Sequence, residues 1–231
     1  SGVTVTQLSR AGKRWRLDLD EGENILADAV ILATPAGISA RLLEREVPGV
    51  AASLNKIPYV STATVSLGYR KEGFEHPLKG FGFVVPGTEN RKILACTWTS
   101  SKFPHRAPEG HVMLRCFIGG AKKEALAEQD ADTLRQMVKD EIRDIMGIRQ
   151  EPVMSRVFHY RKSNVQYHVG HAGLIANINS ELASAPGVYL AGSAYTGIGI
   201  PDCIQNGGRA AERVIDYLAE VNENQSGKLA S

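Results

Sequence analysis

Long apolar segments, an excess of one charge and a dense set of cysteines are all missing from this 231-residue sequence. The longest unbroken apolar run, Ala29–Ala33, has the length of a strand and is too short to span a membrane. Lysine and arginine number 27 against 25 acidic residues, and this balance argues against a nucleic-acid partner. The three cysteines, Cys96, Cys116 and Cys203, lie far apart, which argues against a disulfide scaffold and for a reducing, cytoplasmic compartment.

Several motifs that mark catalytic or cofactor sites are also absent. The sequence contains no complete Gly-x-Gly-x-x-Gly dinucleotide motif and no Gly-x-Ser-x-Gly nucleophile motif, and the pair Gly80 and Gly82 lacks a third glycine. His168 and His171 are three residues apart, but no third metal ligand lies near them in the sequence. We therefore predict no metal site and assign no catalytic side chain.

Two α/β pieces bracket an α+β piece along the chain. The first piece contains a hairpin of alternating residues and then Ala29–Thr34, which is predicted as a strand buried on both faces. In the middle piece, alternating strands precede a helix over Leu134–Met146, for which Asp130 or Asp132 is the N-cap. A strand and a helix follow again in the last piece. This order predicts an α+β / α/β fold.

A glycine-rich segment in the last piece carries the clearest sign of a ligand. The pattern predicts a buried strand at Val188–Ala191, a loop at Gly192–Pro201 and a helix from Asp202, which has capping-box spacing to Gln205. Glycines let the backbone approach a ligand, and free N–H groups at a helix N-terminus favour negative charge. The segment is either such a ligand loop or an ordinary strand-to-helix connection that is rich in glycine.

Seven short motifs occur in an order that resembles a known family. Together they are similar to the C-terminal half of the oxygen-dependent porphyrinogen oxidases, FAD enzymes of haem synthesis within the flavin amine oxidase superfamily. The likeness covers nearly the whole chain. The motifs are Val5–Leu8, Ala27–Pro35, Gly80–Pro86, Ala95–Ser100, Phe103–Gly110, Gln166–His171 and Gly197–Cys203.

The resemblance implies a discontinuous domain organisation. FAD-binding segments of the amine-oxidase type at residues 1–45 and 170–222 bracket a mixed-sheet plus helix substrate domain at 46–169, and 223–231 form a disordered tail. The sequence begins without methionine and inside a strand pattern. We expect the family's N-terminal βαβ unit and membrane-associating region in a missing N-terminal part.

The resemblance also implies which residues meet the cofactor FAD. The backbone of Val5 faces the adenine, and Gly192 ends the strand beside the isoalloxazine ring. Three loop residues meet that ring through their backbone: Ile198, Gly199 and Ile200. Tyr160 stands where close relatives have a tryptophan that contacts the flavin.

Val84, Thr97 and Phe117 match positions that line the porphyrinogen cavity in the family. The implied reaction is oxidation of coproporphyrinogen III or protoporphyrinogen IX to the porphyrin, with O2 as acceptor. The form most similar is that of Gram-positive bacteria, which implies coproporphyrinogen III. No nucleic acid is involved, while peripheral membrane association through the missing part and homo-oligomer formation stay open.

Two alternatives remain at the level of sequence. The chain belongs to another member of the flavin amine oxidase superfamily, acting on amines or carotenoids, or it is a folded fragment without activity of its own. The second alternative rests on the absent βαβ unit, because that unit supplies the pyrophosphate site of dinucleotide-binding domains. We expect the chain alone to be inactive.

Overall fold

The computed structural model describes residues 2–229 of the chain, with side chains up to residue 223. The chain separates into two compact units. Unit 1 consists of Ser1–Pro58 and Tyr167–Ser231, and unit 2 is the intervening Tyr59–Gln166. Residues 46–58 and 167–169, which the resemblance assigns to the substrate domain, belong to unit 1.

Unit 1 combines a three-stranded antiparallel sheet, a parallel pair of strands and four helices within its described residues. The antiparallel sheet has the order β1-β2-β3, and β10 pairs in parallel with β4. The elements are β1 (Val5–Ala11), β2 (Arg14–Leu19), β3 (Asn24–Ala27), β4 (Val30–Leu32), α1 (Ala36–Leu43), α2 (Pro48–Leu54), α6 (His171–Leu182), β10 (Val188–Leu190) and α7 (Ile200–Leu229).

Trp15 ties the N-terminal hairpin to the C-terminal segment of unit 1. Its side chain is fully buried, and its indole N–H donates to the carbonyl of Pro186 at 3.0 Å. Gly187 follows with a φ of +87°, and a Cβ there would approach the Trp15 ring and the Asp28 carbonyl. The backbone of Val30 then donates to Gly187 at 2.7 Å, so this contact places β4 beside β10.

Unit 2 is built on a five-stranded sheet of order β6-β7-β8-β5-β9. All pairings of this sheet among the described residues are antiparallel, which differs from the mixed sheet that the resemblance implies. The segments between β6 and β7 and between β7 and β8 each reverse the chain direction, so these neighbouring strands are antiparallel. The elements are β5 (Tyr59–Arg70), β6 (Gly82–Val84), β7 (Ala95–Trp98), α3 (Thr99–Lys102), β8 (His111–Gly119), α4 (Glu124–Ala127), α5 (Ala131–Met146) and β9 (Met154–Val165), with a 3-10 turn at Gly87–Glu89.

One face of this sheet packs against α5. Val65 and Leu114 from the strands form a core with Leu134 and Ile142 from the helix, and all four are fully buried. The carboxylate of Asp130 accepts from the N–H groups of the first helical turn, so the N-cap prediction for Asp130 is confirmed. The core therefore lies on one face of the five-stranded sheet, and helix α5 does not cover the opposite face.

Several elements differ from the sequence-based expectations. Helix α6 and helix α2 were not predicted, because neither has a strong apolar period. In β4, Val30 and Leu32 are buried while Ile31 is 39% exposed, so the expected burial on both faces is wrong for the described residues. Helix α7 begins two residues before Asp202 and is described to Leu229. Of the predicted tail at 223–231, residues 230 and 231 lie outside the described part.

Candidate cofactor and substrate sites

The glycine-rich loop of unit 1 lies at the carboxyl end of its two parallel strands. Val188, Tyr189 and Leu190 pair with Val30, Ile31 and Leu32, and the Ala191 N–H continues the ladder to Leu32 at 3.1 Å. The chain then runs through residues 192–199 into α7. This strand, loop and helix arrangement confirms the predicted order, and carboxyl ends of parallel strands are where α/β sheets bind ligands.

Tyr167 holds the middle of the loop. Its hydroxyl donates to the carbonyl of Ser193 at 2.6 Å and accepts from the N–H of Gly197 at 2.9 Å. The ring stacks on His171, with centroids 3.8 Å apart and an angle of 12° between the planes. His171 is the first residue of α6 and contacts the Tyr195 carbonyl at 3.2 Å. The Tyr167–His171 pair thus contacts three backbone groups of the loop.

Asn206 of α7 fastens the start of the loop. Its side-chain carbonyl accepts from the Gly192 N–H at 3.3 Å, and its amide donates to the hydroxyl of Thr196 at 2.5 Å. Gly192 has a φ of +124°, a conformation that other residues rarely adopt, and the space beside its Cα is open. A ligand can therefore approach the backbone closely at Gly192.

Asp202 shapes the end of the loop. Its carboxylate accepts from the N–H of Gly199 at 3.0 Å. Gly197 has a φ of +110°, and a Cβ there would lie 2.5 Å from Asp202 Cγ, so no larger residue fits without displacing the carboxylate. Because the helix begins at Ile200, Asp202 acts from inside the first turn and is not the N-cap that the capping-box spacing predicted.

The loop presents unpaired backbone donors and exposed apolar side chains together. Among the described residues, the N–H groups of Ile198 and Ile200 have no hydrogen-bond partner within the chain. Their side chains are 66% and 79% exposed. A flat heteroaromatic ring with acceptor atoms along one edge fits this combination, since the apolar side chains can cover the ring while the N–H groups donate to its edge.

Val5, the predicted adenine contact, lies at the start of β1 in unit 1. It is half-buried and pairs with Leu19, and the strand register shifts between Val5 and Gln7. Tyr160, the other predicted flavin contact, lies in unit 2 on β9 opposite Thr62. The roles of Val5 and Tyr160 stay predictions.

The three predicted substrate residues of unit 2 share one face of the five-stranded sheet. Val84 pairs with Ala95, which pairs with Phe117, and Gly82 pairs with Thr97 two residues further along the strands, which is again the same face. Residues directly opposite each other in neighbouring strands lie on the same face. Val84, Thr97 and Phe117 therefore occupy the face opposite α5.

Phe158 extends the aromatic character of that face. It pairs with Thr64, which in turn pairs with Phe117, so the two phenylalanines flank β5 on one face. Phe158 is 50% exposed and Val84 is 79% exposed within the described residues. A broad apolar face of this kind suits a large, flat and mostly apolar ligand.

The resolved pKa shifts among the described residues all move away from neutral pH. Burial raises the pKa of Tyr69 and of Tyr189, and a hydrogen bond with Cys96 together with burial raises that of Cys116. The ammonium of Lys162 and the N–H of Ser61 lower the pKa of the Glu124 carboxyl to about 2. These shifts identify no general acid or base among the groups concerned.

Within the described part of the chain, histidine, cysteine, aspartate and glutamate side chains form no group of three or more that could hold a metal ion. None of the helices within the described part combines the length and the apolar character that crossing a membrane requires.

Tyr167 and Asn206 were missed by the sequence reasoning. Tyr167 belongs to the motif Gln166–His171, which contributed to the resemblance without a role for any of its residues. Asn206 lies nearly two turns into α7, and its polar side chain so close to the glycine loop was the available signal. Both act on glycines that the sequence had already marked.

Comparisons with known proteins agree with the motif-based resemblance. The chain is 38% identical over 218 residues to coproporphyrinogen III oxidase of Bacillus subtilis (strain 168), covering 94% of this chain and 46% of that protein. It is 31% identical over 223 residues to protoporphyrinogen oxidase of Bos taurus, with 93% and 46% covered. The chain thus spans less than half the length of these curated relatives.

Solved structures extend the similarity to the fold. A crystal structure of a protein assigned as a protoporphyrinogen oxidase from Exiguobacterium sp. 255-15 matches with a TM-score of 0.79 and 32% identity, covering 96% of this chain and 47% of that one. Cyclohexylamine oxidase from Brevibacterium oxydans IH-35A matches with a TM-score of 0.69 at 14% identity, covering 94% and 48%. The second match shows the shared fold alone.

The family comparison covers almost the entire chain. Residues 2–215 match the family described as flavin containing amine oxidoreductase. The predicted superfamily, its fold class and its flavin class of cofactor are thereby confirmed. The chain belongs to the flavin-containing amine oxidoreductases.

Proposed function

We propose that this chain is the C-terminal part of an FAD-dependent enzyme of haem synthesis that oxidises a porphyrinogen to the porphyrin with O2. The observation that carries the proposal is one face of the unit 2 sheet, on which the apolar side chains of Val84 and Phe117 share a row and Thr97 lies in the neighbouring row. A macrocycle is the class of ligand that such a face fits. Three curated relatives at 34–38% identity bear the name coproporphyrinogen III oxidase, which supports the same conclusion.

FAD fits the glycine loop of unit 1 on the evidence of its free N–H groups and open glycine. Ile198, Gly199 and Ile200 would hold the isoalloxazine ring through their backbone, Gly192 would let it approach, and Val5 would face the adenine. When bound, FAD supplies the redox chemistry that no side chain of this chain can perform. The chain's own residues bind, orient and exclude water.

In unit 2, Val84, Thr97 and Phe117 would line the substrate, and Tyr160 would contact the flavin. The apolar part of this lining favours the ring of the macrocycle over water, and it holds the reacting carbon without donating or accepting a proton. We assign no acid or base to this chain.

Coproporphyrinogen III is the preferred substrate in this proposal. The relatives named for it are 34–38% identical to the chain, whereas those named protoporphyrinogen oxidase are 25–31% identical. We place the protein in the cytoplasm, in peripheral contact with the membrane through a part outside this chain. We propose that the chain by itself neither binds FAD nor turns over substrate.

The test uses the complete protein that contains this chain. Porphyrin fluorescence and peroxide formation are followed under O2 with coproporphyrinogen III, protoporphyrinogen IX and cyclohexylamine as separate substrates. We expect turnover of the porphyrinogens, faster with coproporphyrinogen III. Turnover of the amine without porphyrin formation would replace the proposal by an amine oxidase.

A matched pair of variants tests the substrate face. Phe117→Leu removes an aromatic contact worth about 1 kcal/mol, so we expect the KM for coproporphyrinogen III to rise about fivefold. Phe103→Leu makes the same change at an exposed residue after α3 and should leave KM unchanged. Equal KM values for both variants would remove Phe117 from the substrate site.

A further inference from the structure

A row of polar side chains crosses the aromatic face of the unit 2 sheet. Thr97 on β7 pairs with Arg115 on β8, Arg115 pairs with Ser66 on β5, and Ser66 pairs with Arg156 on β9. Since directly opposite residues share a face, these four side chains lie on the side that carries Phe117 and Phe158. The row places two arginines on the face that the proposed function assigns to substrate.

Arg115 is held in position by a neutral partner. Its Nε donates to the hydroxyl of Ser66 at 3.2 Å, which leaves the remaining guanidinium N–H groups available. Arg115 is half-buried, whereas Arg156 is exposed. An oriented arginine with unused donors is the group that proteins most often employ to bind carboxylates in two-point contacts.

Neither arginine is neutralised by the chain itself. Within the described residues, no ion pair joins Arg115 or Arg156 to a carboxylate, although other arginines, such as Arg135 and Arg143, have acidic partners. The polar row, and the row of Phe117, Thr64 and Phe158 beside it, contain no aspartate or glutamate. Because the whole sequence is nearly neutral, two unpaired cations on one apolar face mark a site for an anionic ligand.

The strand geometry sets the shape of that ligand. Arg115 and Arg156 are two strand spacings apart, about 10 Å, and the phenylalanine row lies two residues further along, about 7 Å away. A ligand that fits both rows has a broad apolar body over the phenylalanines and two carboxylates along one side. Porphyrinogens have this form, since their propionate groups project from the rim of an apolar tetrapyrrole ring.

We propose that Arg115 and Arg156 bind two carboxylates of one substrate molecule while its macrocycle lies on Phe117 and Phe158. This inference rests on the proposed function and names a carboxylate-binding site for it. Ser66 is a positioning residue, because it acts on the ligand only through Arg115. Loss of either arginine should weaken binding of the acid form of a porphyrinogen and leave an esterified form unaffected.

The experiment compares Arg115→Gln and Arg156→Gln in the complete protein with Arg135→Gln as a matched control. Arg135 lies on α5, which packs against the opposite face, so the control removes the same charge elsewhere. KM and kcat are measured in one detergent with coproporphyrinogen III and with its tetramethyl ester. We expect each face variant to raise the KM for the acid about tenfold or more, with the ester KM within twofold of wild type.

The ester also serves as the folding control, because a variant that turns it over normally is folded. Arg115→Lys keeps the charge without the planar donor pair and should recover part of the loss. Equal losses for acid and ester, or no loss at all, would overturn the inference while leaving the proposed function in place.

Direct binding separates failure of the inference from failure of the proposed function. Coproporphyrin III and its tetramethyl ester are titrated against wild type and the same variants by fluorescence. If wild type oxidises no porphyrinogen but binds coproporphyrin III through both arginines, the proposed function fails and the inference stands. If wild type neither oxidises porphyrinogens nor binds coproporphyrin III, both are overturned.

Discussion

Replacing Tyr167 by phenylalanine removes one hydroxyl from the centre of the glycine loop and keeps the ring stacked on His171. The hydroxyl makes two hydrogen bonds, at 2.9 Å from the Gly197 N–H and at 2.6 Å to the Ser193 carbonyl. Each such bond contributes about 0.5–1.5 kcal/mol net, so the ordered loop loses about 1–3 kcal/mol. Tyr167 is 40% exposed, and water replaces part of the loss, which favours the lower half of that range.

A less populated loop conformation lowers the apparent affinity for any ligand that needs it. A loss of about 1.4 kcal/mol corresponds to a tenfold rise in Kd. We therefore expect the complete protein with Tyr167→Phe to bind FAD about tenfold more weakly than wild type. The measurement is a titration of the FAD-free protein, followed by quenching of flavin fluorescence.

Tyr217→Phe is the matched control in the same unit. Tyr217 contacts the ring of Tyr189 at a centroid distance of 6.5 Å and lies on α7, outside the loop. Its replacement should leave FAD affinity unchanged. If Tyr167→Phe and Tyr217→Phe both bind FAD within twofold of wild type, then the two hydrogen bonds do not order the loop for flavin and the reasoning fails.

The remaining predictions concern stability and reactivity. In Gly197→Ala the new Cβ would stand at a φ of +110° and overlap the Asp202 carboxylate, so we expect the free energy of unfolding to fall by about 1–3 kcal/mol in chemical denaturation. Gly173→Ala, in open space on α6, should raise that free energy by about 0.5–1 kcal/mol. Similar values for the two variants would contradict the proposed strain at Gly197. Because the pKa of Glu124 is lowered to about 2, the stabilising effect of its carboxylate is complete above pH 4.5 and is lost as the pH falls through about 2. The difference in free energy of unfolding between wild type and Glu124→Gln should therefore decrease between pH 4.5 and pH 2. A difference that does not depend on pH would refute this reasoning. Buried Cys96 and Cys116 should resist iodoacetamide in the native protein and react after denaturation, as mass spectrometry can check; native labelling at neutral pH would show that the core opens.

Local patterns predicted the elements whose stability depends on neighbours in sequence. The period of α5 and its Asp130 cap fall within one helix, so the sequence contains the whole argument for that helix. Helix α6 was missed because His171 and Gly170 at its start resemble a loop, and its packing against α2 depends on a segment more than a hundred residues away. The burial of Ile31 in β4 was overestimated for a related reason, because the residues that pack on a strand come from other parts of the chain and are not visible in the strand's own sequence.

Motifs and local patterns were sufficient to predict the family, the flavin class of cofactor, the glycine loop before α7 and the order of most elements, although not helices α2 and α6. These features depend on motifs and on short-range conformational preferences, which can be recognised in the sequence without knowledge of the fold. Only the tertiary structure decided which side chains meet. Trp15 reaches Pro186 across 171 positions, and Arg115 and Arg156 share a sheet face because both strands pair with β5 in a particular register. A shift of one residue would move either arginine to the other face, and strand pairing over long separations, not local pattern, fixes that register.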